Sequence, residues 1–154
     1  MKKKQSDWDQ FYLKVAELTS QQSYAQDRKV GAIIVKHGNI IAFSYNGTLQ
    51  GRENSTCDQY GKTLPTVLHA ESQAIAKVAR SPNNTEGATL YTTLSPCIEC
   101  AKLIVQSGIS RVVYKEPFKY TEGIDFLEHA GVMVNKHCLF TDEQLKHTGL
   151  LSAD

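Results

Sequence analysis

Near the N-terminus the apolar positions change period twice. Phe11, Tyr12, Val15, Ala16 and Leu18 recur every three or four residues, the spacing of one helix face, which predicts a helix capped by Ser6 or Asp7 and running to about Ser20. Val30 to Val35 is instead a β-branched run stopped by Lys36-His37-Gly38-Asn39, and Ile40 to Tyr45 follows, so the pair predicts an antiparallel hairpin. From Asn46 to Leu68 the chain is polar, rich in Gly, Asn, Thr and Gln, carries Pro65 and shows no period, as expected of a long loop; such loops are functional or disordered.

The pattern then alternates. His69 to Ala79 puts Ala70, Ala74, Ile75 and Val78 on one side of a helix that stops at Ser81-Pro82-Asn83-Asn84. Thr89 to Leu94 reads as a strand, Cys97 to Gln106 as a helix closed by Gly108, and Arg111 to Tyr114 as a strand. Ile124 to His129 follows as a helix ended by Gly131, Val132 to Val134 as a short strand, and Thr141 to about His147 as a capped helix. Helices alternating with short apolar strands after a hairpin imply an α/β fold: a mixed central sheet of about five strands covered on both faces, a three-layer α/β/α sandwich. No repeat, linker or low-complexity tract divides the chain, and residues 1–154 read as a single domain.

Composition narrows the classes. The chain has 154 residues, 41% of them hydrophobic, and a formal net charge of +1, enough apolar material for a sizeable core and too little basic excess for a nonspecific grip on nucleic acid. The one dense basic run, Lys2-Lys3-Lys4, reads as a solvated terminus. No apolar signal segment opens the chain and no run is long enough to span a bilayer, so neither a membrane role nor a stable nucleic-acid partner is expected. Four cysteines fit a reducing compartment better than a disulfide framework, and a cytoplasmic location is the expectation.

The chemistry is concentrated in two strings, His69-Ala70-Glu71 and Pro96-Cys97-Ile98-Glu99-Cys100. A lone C-x-x-C can be a redox pair, half of a structural zinc site or two inert thiols. A four-cysteine site needs a second close pair, which Cys57 and Cys138 do not form, and a redox pair needs no H-x-E partner. His69, Cys97 and Cys100 therefore read as the three ligands of a catalytic Zn2+ with one open position, and Glu71 as a carboxylate that does not ligate. Both strings fall at predicted helix starts, where free N–H groups and the positive end of the helix dipole favour thiolates, and where the amides of Ala70 and Cys97 could bind an oxygen on a carbon turning tetrahedral. H-x-E followed by P-C-x-x-C is the pattern of zinc-dependent hydrolytic deaminases. Glu71 would then carry protons between the attacking water, a ring nitrogen and the departing amine.

Further segments carry a family resemblance. Lys29-Val30-Gly31-Ala32-Ile33-Ile34-Val35, Tyr45-Asn46-Gly47 with Gly51, His69-Ala70-Glu71 with Ala74-Ile75, Leu90 through Cys97, Cys100 through Ile104, Gln106-Ser107-Gly108-Ile109 and Val112-Val113-Tyr114 together resemble the deoxycytidylate (dCMP) deaminases. The resemblance covers roughly Lys29 to Tyr114. It implies the cytidine-deaminase-like sandwich, one catalytic zinc per subunit, and hydrolysis of dCMP to dUMP and ammonia, which supplies dUMP for thymidylate synthesis. It also implies a homo-oligomer, commonly a hexamer, activated by dCTP and inhibited by dTTP with Mg2+.

The same resemblance marks His69, Cys97 and Cys100 as ligands and Glu71 as the proton carrier. It sets Asn46 against the sugar hydroxyl, although Asn-Gly after a strand is also an ordinary turn signal. Ala70 and Gln73 fall beside the substrate; Gln73 stands where the family usually has Asn. Arg28 and Lys29 are candidate phosphate ligands or solvated charges. Arg80 falls near the family's regulatory interface, or complements the helix dipole. Cys57 with a histidine such as His37 could be a remnant of a second zinc site, or an unpaired thiol. His129, His137, Cys138 and His147 form no convincing ligand set. A transfer-RNA adenosine deaminase shares the two motifs but would need basic surface for RNA; a noncatalytic relative would lose Glu71.

Overall fold

In the computed structural model, which describes residues 2–141, 143 and 144, the elements follow in the order α1 (Gln5–Ser20), β1 (Gly31–Lys36), β2 (Asn39–Tyr45), α2 (Ala70–Ala79), β3 (Thr89–Leu94), α3 (Ile98–Gln106), β4 (Arg111–Glu116), α4 (Glu122–His129) and β5 (Met133–Lys136). Each predicted element within these residues is present. The first helix starts earlier than expected: Lys4 is its N-cap, and Asp7 lies inside the first turn, where its carboxylate accepts the Lys4 amide at 2.9 Å. Thr141 and Gln144 exchange backbone-to-side-chain hydrogen bonds at 2.8 and 3.2 Å, a capping arrangement. The rest of the helix expected as far as His147 lies outside the described residues.

The five strands form one mixed sheet in the order β2-β1-β3-β4-β5. β1 pairs antiparallel with β2 and β3, while β4 runs parallel to β3 and β5. The hairpin turn uses only His37 and Gly38, both at positive φ (50° and 74°), the geometry that matches the right-handed twist of the strands it joins.

Alternation along the strands sorts the core into two layers. Ile33, Val35, Tyr91 and Val113 meet Tyr12, Leu13 and Ala16 of α1 on one face. Ile34, Ala42, Leu90 and Val112 meet Ala74, Ile75 and Val78 of α2, Ala101 and Ile104 of α3 and Leu127 of α4 on the other. Burying a side chain of the size of Leu13 or Ile104 contributes roughly 1.5–3 kcal/mol. α1 can lie this close because β1 opens with Gly31. A methyl group there would overlap the Ala16 carbonyl and come within 2.6 Å of the Ser20 nitrogen.

One buried ion pair ties α1 to the sheet. Asp9 accepts both Arg111 nitrogens (2.8 and 2.7 Å) and the Tyr91 hydroxyl (2.7 Å), so a helix and two strands share one carboxylate. Burial alone would raise the Asp9 carboxyl, but the bonds from Arg111, Tyr91 and Gln5 outweigh it and hold it below the ordinary range. Its share of stability is therefore full above about pH 4, the unfolded-state value, and is lost as pH falls through the lower folded one. Asp9→Ala strands the Arg111 guanidinium and is expected to cost about 3 kcal/mol at pH 7. Urea unfolding from pH 7 down to pH 3 should show that deficit shrinking as the wild-type carboxylate protonates.

Candidate zinc and substrate site

Two helix starts build the site. His69 is the N-cap of α2 and Cys97 the N-cap of α3, both in extended backbone, and Glu71 and Cys100 lie within the first turns that follow. Because α2 and α3 pack side by side on the same sheet face, their N-termini arrive together at the C-terminal end of β3. The His69 Nδ1 lies 3.5 Å from the Cys97 Sγ and 3.4 Å from the Cys100 Sγ, and all three donor atoms fall within 4.8 Å of one another.

Those spacings fit zinc. Tetrahedral bonds of about 2.05 Å to nitrogen and about 2.3 Å to sulfur place the two donors about 3.6 Å apart. Nδ1 is the facing nitrogen, so the ligating tautomer carries its hydrogen on Nε2. The thiols are already polarised unequally. Hydrogen bonds donated by Cys100 and by His69 hold Cys97 far below a normal thiol against the opposing effect of burial; donating to Cys97, together with burial, pushes Cys100 upward. The hydrogen bond to Cys97 in turn raises His69. The backbone amide of Cys100 adds to the pull on Cys97.

Glu71 is only 5% exposed, and burial pushes its carboxyl above the usual range. Its own backbone amide and the charge of His69 pull the other way but do not offset burial, and the Thr92 hydroxyl, 3.4 Å from Oε1, donates instead to the Leu94 carbonyl at 2.9 Å. A buried carboxyl with a raised pKa is suited to exchanging protons near neutral pH.

Glu71, His69, Ala70 and Cys97 line a cavity of about 600 Å³. The long loop forms much of its wall through Thr56, Cys57, Lys62, Thr63 and Val67, and the β4–α4 connection supplies Phe118, Lys119 and Tyr120. Asn46 also faces it. Its Oδ1 accepts the Val30 amide at 2.8 Å and its Nδ2 donates to the Arg28 carbonyl at 2.7 Å, which leaves one amide hydrogen for a ligand. Asn46 thus braces the segment that leads into β1 and borders the cavity.

Other anticipated residues fall elsewhere. Arg28 lines the cavity but pairs with Glu116, and Lys29 lies over a neighbouring depression beside Glu17 and Lys115. Gln73 is not on the cavity wall: its Nε2 donates to the Tyr45 carbonyl at 2.6 Å, fastening α2 to the end of β2. Arg80 is the exposed C-cap of α2. Cys57 borders the cavity, whereas His37 is in the β1–β2 turn at positive φ; among the described residues only His69, Cys97 and Cys100 form a cluster that could hold a metal. Lys62, Phe118, Lys119 and Tyr120 were missed. The Phe118-Lys119-Tyr120 string directly after a strand that parallels β3 was the available signal.

The model of the cytidine and deoxycytidylate deaminase zinc-binding region matches residues 6–116. The chain belongs to that family. It is 36% identical over 165 residues to the deoxycytidylate deaminase of Enterobacteria phage T4, covering 79% of this chain and 86% of that protein. Identity to the deoxycytidylate deaminase of Saccharomyces cerevisiae is also 36%, over 88% of this chain but only 46% of the yeast protein, so the chain spans less than half of that relative. A crystal structure of dCMP deaminase from the cyanophage S-TIM5 in complex with dCMP and dUMP superposes with a TM-score of 0.84 at 43% identity, covering 88% of this chain and 99% of that one. Family membership bears out the sandwich and the zinc-binding region expected from the two motifs.

Zinc titration of the metal-free protein, followed by elemental analysis and a pH indicator, should give one ion per chain with release of a proton as Cys100 is ionised. Cys100→Ala should abolish stoichiometric retention.

Proposed function

We propose that this family member is a dCMP deaminase, converting dCMP and water to dUMP and ammonia within a single domain over residues 1–154. The observation that carries the reading is the buried Glu71 beside the His69, Cys97 and Cys100 donors, at a cavity that Arg28, Lys62 and Lys119 also line. The likeness at 43% identity to a dCMP-bound and dUMP-bound deaminase supports the choice of nucleotide. A net charge of +1 supports it over a transfer-RNA substrate.

A zinc ion held by His69, Cys97 and Cys100 would supply an ionisable water near neutral pH. The protein does the rest. Glu71 takes one proton from the attacking water and gives it to the ring nitrogen next to the reacting carbon; it then takes the second proton from the added hydroxyl and passes it to the amino group, which leaves as ammonia as the C–N bond breaks and the carbonyl forms. The amides of Ala70 and Cys97 stabilise the oxygen as that carbon becomes tetrahedral. The free Asn46 amide hydrogen is placed for the sugar hydroxyl. Lys62 and Lys119 supply charge for a phosphate, joined by Arg28 once it leaves Glu116.

The same reading extends to regulation and assembly: dCTP activates, dTTP with Mg2+ inhibits, Arg80 contributes at a subunit interface, and the assembly is a homo-oligomer such as a hexamer. Exposed Trp8, Phe11 and Phe43 supply apolar surface for self-association. All four cysteines are free thiols, in keeping with a cytoplasmic location, and among the described residues no helix is long and apolar enough to cross a membrane.

Ammonia release should be measured with dCMP, deoxycytidine and an adenosine-containing transfer-RNA stem-loop, each with and without dCTP and Mg2+. Turnover of dCMP is expected; activity on the stem-loop alone would overturn the reading. Glu71→Gln should keep its zinc and lose roughly 10²–10⁴-fold in kcat. Lys119→Ala should raise the KM for dCMP about tenfold while leaving deoxycytidine turnover unchanged, since only the nucleotide carries the charge that lysine meets.

A further inference from the structure

We propose that Gly123 and Ser95 are positioning residues for the Cys97 sulfur, clamping the Pro96–Cys97 turn from two sides. This rests on the reading of His69, Cys97 and Cys100 as zinc ligands. Cys97 sits just outside α3, in extended backbone, so helix hydrogen bonding does not by itself fix its sulfur.

The first contact comes from α4. A Cβ built on Gly123 would overlap the Pro96 carbonyl oxygen and lie 2.9 Å from the Cys97 carbonyl carbon and 3.0 Å from its oxygen. No side chain fits there. Glycine here lets the first turn of α4 touch the Pro96–Cys97 backbone directly. Nor can the helix back away easily: Leu127, one turn on, is fully enclosed in the core.

The second contact comes from Ser95, 2% exposed and adjacent to the turn. Its amide donates to the Glu116 carbonyl at 2.9 Å and its hydroxyl oxygen accepts the Phe118 amide at 2.6 Å. These bonds continue the β3–β4 pairing past Leu94 and Glu116. The ligand turn is thereby held between the end of β4 and the first turn of α4, and the segment carrying Phe118 and Lys119 is tied to the same support.

The test is metal ligation. Zn2+ affinity and the thiolate-to-cobalt absorption of the Co2+-substituted protein are measured for wild type, Gly123→Ala, Ser95→Ala and the exposed control Glu122→Ala, after circular dichroism has established folding. Both clamp variants should bind zinc about tenfold or more weakly, as when residues that orient a ligand are removed, with an altered cobalt band, while Glu122→Ala matches wild type. Wild-type affinity and spectrum in either folded clamp variant would overturn the proposal. Should Gly123→Ala fail to fold, Ser95→Ala decides it. Failure of the wild type itself to bind metal would instead overturn the ligand reading, and the clamp with it.

Discussion

Everything at the site depends on two helix N-termini meeting at the C-terminal end of the central strand, β3. An α-helix begins with amides that have no partner within it, and their positive partial charge favours thiolates and developing oxyanions nearby. α2 and α3 bring two such ends together because Ala74, Ile75 and Val78 share a core layer with Ala101 and Ile104. Three donors from two distant stretches of chain thus converge within 4.8 Å before any metal is considered.

Two buried carboxylates show how environment divides labour. Asp9 is 5% exposed and so is Glu71. Asp9 accepts hydrogen bonds from a guanidinium, a phenol and an amide and is held ionised, tying α1 to β3 and β4. Glu71 has its own backbone amide, the charge of His69 and one distant hydroxyl against the effect of burial, and burial prevails. Glu71 lies deeper and has fewer donors, and the two carboxyls shift in opposite directions, one suited to holding the fold and the other to moving a proton.

The cavity wall has a different origin from its floor. Lys62 and Thr63 come from the long loop, and Phe118 to Tyr120 from the β4–α4 connection. The loop is folded, not a slack tether: Gly47 bridges to Leu68 and Cys57 to Thr63, while the Asp58 carboxylate accepts the amides of Tyr60 and Lys62 at 2.9 Å each. Such connections can vary in charge and length without disturbing the sheet, which is where selectivity among related substrates is set.

The elements and the strings that bring His69, Cys97 and Cys100 together could be read from the sequence, because each rests on local periodicity or short-range spacing: Val30 to Val35 is a β-branched run without a helical period, and His-x-Glu and Cys-x-x-Cys are each patterns within a single turn. The family resemblance added the expectation for Asn46. What the tertiary structure alone decided involves groups far apart in the chain. Gln73, one methylene longer than the family's usual Asn, reaches the Tyr45 carbonyl and not the cavity; Arg28 is engaged by Glu116; Lys62 and Lys119 arrive at one cavity from separate loops. Which nitrogen of His69 faces the thiols, and which way each buried carboxyl is shifted, likewise follow from packing. Local sequence specifies backbone period, whereas the surroundings of a side chain are set by whatever the folded chain brings against it.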